Sequence, residues 1–284
     1  MQPKNCVIYE GPSMLDKKPI FAALVGLSTA SNNSATGAML QVYIMRSDIS
    51  PMEAVNSGAD SSVCGSCSLR GEVMSLEAAA AYAESLPSAK RRALLARIVI
   101  SAARGESSIN VRRPCYVRLE QAPTGIYKLY KKGGYPVVST REAVDYVRRR
   151  DLRVGAYGDG AALPIGVIRP LVDAADVVTN YTHAAGYAPG RADRLAGFTM
   201  ASCESVAQAK EYQSRGLRTF RVSPNFQEKN GVRRVVDLLP GEIQCIKTLN
   251  KSVQCIKCKL CDGWRGKYTK NIVAPVHGKG AAYL

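Results

Sequence analysis

No run of eighteen or more apolar residues occurs in the chain; its longest candidates, such as 21–27, are too short to span a bilayer. The opening residues, MQPKNCVIYEGPS, lack the basic-then-apolar layout of a secretion signal. Gly158-Asp159-Gly160 lacks the spacing of a dinucleotide fingerprint, and there is no Gly-x-x-x-x-Gly-Lys-Ser/Thr phosphate loop and no Ser/His/Asp hydrolase signature. Internal repeats and low-complexity segments are also missing. Acidic residues are in short supply: 23 stand against 39 basic ones, for a formal charge of +16. That excess implies a polyanionic partner, nucleic acid first among them, with a solvated basic surface as the plainer alternative.

Cysteine, by contrast, is abundant, with nine in 284 residues. Without a secretion signal, this points to a reducing cytoplasm, where clustered thiols bind metal rather than pair as disulfides. Cys255-Ile256-Lys257-Cys258-Lys259-Leu260-Cys261 presents three thiols at even spacing, and Cys245 lies ten positions upstream. Bacterial-type ferredoxins wrap a four-iron, four-sulfur cluster with this spacing. Structural zinc more often takes two separated Cys-x-x-Cys knuckles, and zinc, disulfides or free thiols remain open. A second set comprises Cys64 and Cys67, around Gly65, with Cys115 48 positions after Cys67. Three thiolates leave one iron of such a cluster open to a substrate or S-adenosylmethionine; a small zinc site, or help in ligating a closed centre, is the alternative. These seven cysteines can serve one centre or two. Cys203 is either an eighth ligand or a small buried residue, and Cys6 reads as packing.

The hydrophobic pattern predicts an α/β fold. Residues 1–62 read as a β-rich segment, and 63–139 as a cysteine loop followed by a helical stretch at 75–104. Residues 140–240 read as a βα-repeat core, and 241–284 as a C-terminal metal-binding extension. Strand–helix units of this length argue for a parallel sheet, open or closed into an incomplete TIM-barrel-like form. In such folds the ligand sits at the carboxyl ends of the strands. Those ends carry Tyr157-Gly158-Asp159, Thr182-His183, Ser202-Cys203 and Ser223-Pro224-Asn225.

Asp159 suits a general base or a ribose- or amine-binding group, and equally a helix cap. His183 suits a proton shuttle, a fourth cluster ligand or a substrate partner, as well as a structural role. Gly65, Tyr157 and Gly158 are the candidate cofactor-binding positions. Candidate phosphate contacts are Arg112, Arg113, Lys131, Lys132, Arg148, Arg149 and Arg150. Trp264, Arg265 and Lys267, just after the last cysteine, suit a stacking, phosphate-binding surface, or a solvated tail with its tryptophan packed on the metal site. His277 lies in a Gly/Pro/Lys tail and reads as exposed.

Together these motifs resemble a Cys-rich protein family of bacteriophages and prophages. The shared pieces are Tyr9-Glu10-Gly11-Pro12-Ser13, Cys64-x-x-Cys67, Cys115-Tyr116-Val117, Tyr157-Gly158-Asp159, Tyr181-Thr182-His183, Met200-Ala201-Ser202, Phe220-Arg221-Val222 and Cys245 with Cys255-x-x-Cys258-x-x-Cys261. Relative to that pattern, 75–104 looks like an insertion. The arrangement is more weakly similar to radical S-adenosylmethionine enzymes, which combine a cysteine loop, a βα barrel and an auxiliary cluster. Those enzymes carry Cys-x-x-x-Cys-x-x-Cys, whereas the third thiol here is remote. The expectation is a cytoplasmic, phage-type iron–sulfur protein with one or two clusters, acting on nucleic acid or a nucleotide. Its rival is a non-enzymatic, basic, metal-stapled protein that grips nucleic acid or phage or host nucleic-acid machinery.

Overall fold

The computed structural model describes residues 3–31, 33–261 and 270–276. Strands β1 (Asn5–Pro12), β2 (Pro19–Val25) and β3 (Leu40–Arg46) form an antiparallel meander. The centres of β2 and β3 are covered on both faces, which explains their unbroken apolar runs. Helices α1 (Pro51–Ser57) and α2 (Ser61–Cys64) follow, and Ser50 caps α1 by accepting the Glu53 N–H. Next come β4 (Val73–Ser75), α3 (Leu76–Glu84), α4 (Ser88–Ala103) and β5 (Ser108–Asn110). β4 and β5 pair at the base of this helical hairpin, which has its own small core of Ala79, Ala83, Leu94, Ile109 and Val111. The stretch read as an insertion is thus a self-packed unit clamped by two short strands.

Helix α5 (Ala122–Lys131) precedes α6 (Thr140–Val147). Ser139 and Glu142 form a reciprocal capping box that fixes the start of α6. The α/β alternation then runs through β6 (Leu152–Tyr157), α7 (Ile165–Ala174), β7 (Val178–Thr179), β8 (Tyr181–Thr182), α8 (Ala184–Tyr187), α9 (Pro189–Leu195), β9 (Met200–Cys203), α10 (Val206–Ser214) and β10 (Thr219–Ser223). Ser205 caps α10, and Gly216 takes the left-handed conformation after it. The chain continues as a hairpin of β11 (Phe226–Lys229) and β12 (Val232–Val235), then β13 (Glu242–Gln244), α11 (Ile246–Leu249), α12 (Cys255–Cys258) and β14 (Asn271–Pro275).

Two five-stranded sheets result, with orders β1-β2-β3-β6-β7 and β13-β14-β10-β9-β8. β3, β6 and β7 are parallel, and the second sheet is parallel throughout. Only Asn180 separates β7 from β8, so the chain steps from the edge of one sheet directly to the edge of the other. The outer strands β1 and β13 do not pair with each other among the described residues.

The boundaries drawn from sequence differ from this architecture at both ends. β3 pairs with β6, so the N-terminal strands belong to the same sheet as part of the βα core. β14 lies between β10 and β13, so part of the chain beyond 240 is built into the second sheet. Both are long-range pairings that no local pattern announces. No helix among the described residues is long and apolar enough to cross a membrane.

Candidate cysteine-centred site

Cys64 is the last residue of α2, its N–H bonded to Asp60 O at 2.8 Å. Gly65 follows with φ +56°, and a Cβ there would overlap the ring of Tyr187. Glycine is therefore required twice over, for its backbone and for the close approach of the phenol. Arg70 braces this turn, donating to Asp60 Oδ1 from Nε at 3.0 Å and to the Gly65 and Gly58 carbonyls at 2.9 and 2.6 Å. The Cys67 sulfur accepts the Leu69 N–H, and the Leu69 carbonyl accepts the N–H of Cys115 at 3.0 Å. That last bond brings the distant third cysteine to the loop.

The strand ends supply the other side. Asp159 N donates to Val63 O at 2.6 Å, tying the end of β6 to α2. Its Oδ1 accepts the Ala161 N–H at 2.9 Å, and its Oδ2 accepts the Thr182 hydroxyl at 3.0 Å and the His183 N–H at 2.9 Å. Asp159 is thus a cap and a clamp that sets the backbone of His183. Burial pushes its carboxyl up, against the opposing pull of those donors. His183 Nε2 is hydrogen-bonded to Glu204 Oε1 at 2.9 Å. Burial disfavours the charged imidazole, but the neighbouring Cys67 and Glu204 outweigh it and raise the His183 pKa well above the ordinary value.

Cys64, Cys67 and Cys115 lie close enough that each of the last two pushes the Cys64 thiol up, beneath the larger effects of burial and the Asp60 charge. Three buried polar atoms around them have no hydrogen-bond partner: Tyr157 Oη, Tyr187 Oη and Arg113 Nε. Both phenols are pushed up chiefly by burial and also by the charge of Cys64. Gly158, with φ +81°, is pressed against the Ile44 carbonyl, where a Cβ would lie 2.6 Å from the oxygen. It shapes the exit of β6.

The second group is assembled differently. Cys245 N donates to Val273 O of β14 at 2.8 Å, and its sulfur accepts the Lys247 and Thr248 N–H groups. Cys255 N and Ile256 N donate to the Ala35 and Thr36 carbonyls at 2.9 and 3.2 Å, which seats α12 on the β2–β3 connection. Burial and then the Cys245, Cys255 and Cys258 charges push the Cys261 thiol up to about 12, while a hydrogen bond from Tyr181 pulls the other way. One short segment therefore lies beside both groups, with Tyr181 acting on the Cys261 thiol and His183 responding to Cys67.

Three thiols with an imidazole, and four thiols, are donor sets suited to zinc or iron–sulfur centres in type. The orphaned phenols and guanidinium beside the first set are what a site needing further partners displays. No group of three or more His, Cys, Asp or Glu among the described residues is gathered tightly enough to hold a metal ion. Cys203 is buried beneath β9, its thiol raised to about 12, and joins neither group. Cys6 is likewise buried in the core of the first sheet.

The basic candidates are scattered. Arg113 Nη1 donates to Val117 O at 2.7 Å, and Arg150 donates to the Leu27 and Gly26 carbonyls at 3.2 and 2.9 Å. Both are engaged in bracing loops. Arg112 stacks on Tyr82 at 4.5 Å and pairs loosely with Glu72; Arg148 pairs with Asp145 at 3.2 Å. Lys131 reaches Ser47 O at 3.3 Å, while Lys132 and Arg149 are exposed. Arg148, Arg149 and Arg150 precede β6, at the opposite end of that strand from Asp159. Trp264, Arg265, Lys267 and His277 lie outside the described residues.

One feature lay beyond the sequence reading. Glu204 directly follows Cys203 at the end of β9, so extending the strand-end inspection by one residue would have found it. Ser223 and Asn225 serve another purpose: both donate to Asp237, at 2.7 and 3.2 Å, and so take no part in the cysteine site. No protein-family model, curated protein or solved structure matches the chain.

Proposed function

We propose that the chain is a phage-type metalloprotein that acts on nucleic acid or a nucleotide, with its two cysteine groups as separate metal centres. Cys64, Cys67 and Cys115 form the reactive centre, His183 completes or faces it, and Cys245, Cys255, Cys258 and Cys261 form a closed auxiliary one. What supports this reading is that backbone hydrogen bonds bring Cys115 to the Cys64–Cys67 loop, while the other four cysteines fall within one segment fastened to β14 and to the β2–β3 connection. An iron–sulfur centre would supply electron transfer, or an open iron for S-adenosylmethionine; zinc would supply structural bracing. The protein's own part is to hold Cys67 against His183, to orient the imidazole through Glu204 and to exclude water with Tyr157 and Tyr187. On this reading the two sheets, joined at Asn180, wrap as an incomplete barrel around the site. The working location is the cytoplasm, where reduced thiols persist.

A second reading, a zinc-stapled binder of nucleic acid or its machinery, draws on the charge of +16. Anaerobic purification with an ultraviolet–visible spectrum and iron, sulfide and zinc quantitation separates the two. Broad absorbance near ~400 nm with about eight irons supports two clusters. Colourless protein with stoichiometric zinc leaves the binder, and no metal at all removes both.

A further inference from the structure

The cysteine chemistry leaves unexplained a row of buried polar side chains across the first sheet. Arg153 of β6 is in register with Gln41 of β3 on one side and Thr179 of β7 on the other, so all three project from the same face. Arg153 is 8% exposed, Gln41 6% and Thr179 2%. Gln41 is satisfied, since its amide nitrogen donates to Ser31 Oγ at 2.6 Å and its oxygen accepts the Tyr43 hydroxyl at 3.1 Å. The other two are not. The Thr179 hydroxyl has no partner. Among the described residues Arg153 forms no ion pair, and its one hydrogen bond runs from Nη2 to the Tyr116 phenol at 2.9 Å.

A guanidinium carries five N–H donors in a planar fork, and buried ones are paired with anions because an isolated buried charge is costly. Around Arg153 stand the neutral phenols of Tyr43, Tyr116 and Tyr181, with the Cys255 thiol also near. Tyr116 is 58% exposed and accepts a hydrogen bond from the guanidinium, so it stands between Arg153 and solvent. The fork, the orphaned hydroxyl and the phenols bring several donors together with no carboxylate paired to them among the described residues.

We infer that Arg153 and Thr179 bind a phosphate group of a small-molecule substrate, with Tyr116 as the side chain that gives way to admit it. The fork and hydroxyl match the multiple acceptors of a phosphate dianion. Side chains buried to this degree suit the end of a small molecule such as a nucleoside monophosphate rather than the backbone of a duplex. The substrate class rests on the nucleotide reading above; the anion site itself does not depend on any metal.

The experiment is calorimetric titration of the purified full chain with inorganic phosphate, a nucleoside 5′-monophosphate and a short duplex, with metal content measured on each sample. The expected result is saturable binding of phosphate and tighter binding of the monophosphate, weakened about ten- to hundredfold in R153M. R153K keeps charge without the fork, and T179V keeps shape without the hydroxyl; each loses severalfold. Should R153M fail to fold, those two variants decide the matter. Absence of saturable phosphate binding, or equal binding by wild type, R153K and T179V, overturns the inference. So does loss of bound metal in R153M with phosphate affinity retained, which would make Arg153 a countercharge to the Cys255 group. Phosphate binding that depends on Arg153 in a metal-free protein would sustain this site while removing the metalloprotein reading.

Discussion

Replacing Glu242 with alanine tests the physical basis of the second sheet. Arg221 of β10 is 1% exposed at its side chain and Glu242 is fully buried. Nε and Nη2 of the arginine donate to the two carboxylate oxygens at 2.9 and 2.7 Å, and Glu242 Oε2 also accepts the Leu239 N–H at 2.9 Å. Removing one partner of a buried pair leaves an uncompensated charge, at a cost of about 3–5 kcal/mol. Here Asp237 remains as a second acceptor for Arg221, through Oδ2 at 3.0 Å and its carbonyl at 2.9 Å, so the lower end applies. A loss of about 3 kcal/mol is a large share of a stability on the order of 5–15 kcal/mol. It corresponds to a fall in melting temperature of roughly 6–12 °C for a chain of this size class. E242Q, which keeps an acceptor and loses the charge, should cost about half as much. The assay is urea unfolding followed by far-ultraviolet circular dichroism, with the slope compared across variants. Replacing both partners, as R221M with E242L, should recover much of the loss, because well-packed apolar groups substitute tolerably for a buried pair. An E242A variant within about 0.5 kcal/mol of the wild type would refute the reasoning, since that is the range of an ordinary surface substitution.

Further outcomes follow from the same structure. G65A meets both the left-handed backbone and the Tyr187 ring, and should lose about 1–3 kcal/mol on chemical denaturation. A neutral result there would show that Tyr187 does not pack on the turn. On the metal reading, E204Q weakens the carboxylate that orients His183 and lowers metal affinity about 10–100-fold in a chelator competition, with folding unchanged. Unchanged affinity would take His183 out of the ligand set. Asp237 is pushed up by burial, but hydrogen bonds from Ser223, Asn225 and Arg221 outweigh this and hold its pKa below 3.8. Its depressed folded-state pKa stabilises the protein above that value, and the contribution is lost as pH falls through the lower, folded-state pKa. D237N should therefore flatten the acid limb of the stability profile below about pH 4, and an unaltered limb would contradict the assignment.

Local chemistry made much of the fold legible. Ser139 with Glu142, Ser205, and Gly216 mark helix ends through hydrogen bonds made within a few residues, so α6 and α10 can be read from sequence. The apolar runs of β2 and β3 announce buried strands in the same way. Pairing is another matter. Nothing near Asn271–Pro275 says that it inserts between β10 and β13, because that choice is made by strands more than 25 residues away. The candidate site divides along the same line. Cysteine spacing exposes its ligand types, whereas Glu204 beside His183, and Arg153 in register with Thr179, exist only once remote strands are aligned. Asp159 shows why residue type alone leaves a choice between base and cap. Three donors occupy its oxygens, so it caps the turn after β6 and holds the β8 exit.

The two cysteine groups differ in how they are built, and that difference bears on their proposed roles. The second lies wholly within 245–261 and is fastened by backbone bonds to β14 and to the 33–37 loop, so a metal there would mainly lock two neighbouring segments together. The first draws on four separated stretches: the α2 turn, the Cys115 loop, the end of β8 and the end of β9. A staple has no need of so many remote contributors, nor of a histidine backed by a carboxylate at the carboxyl ends of parallel strands, where α/β folds place their ligands. If chemistry resides in either group, the assembly assigns it to the first. C67S should then abolish activity while leaving the fold and the second centre's metal intact, and C258S should lower stability first. The opposite pattern, with C67S unfolding the protein and C258S remaining stable but inert, would reverse that assignment.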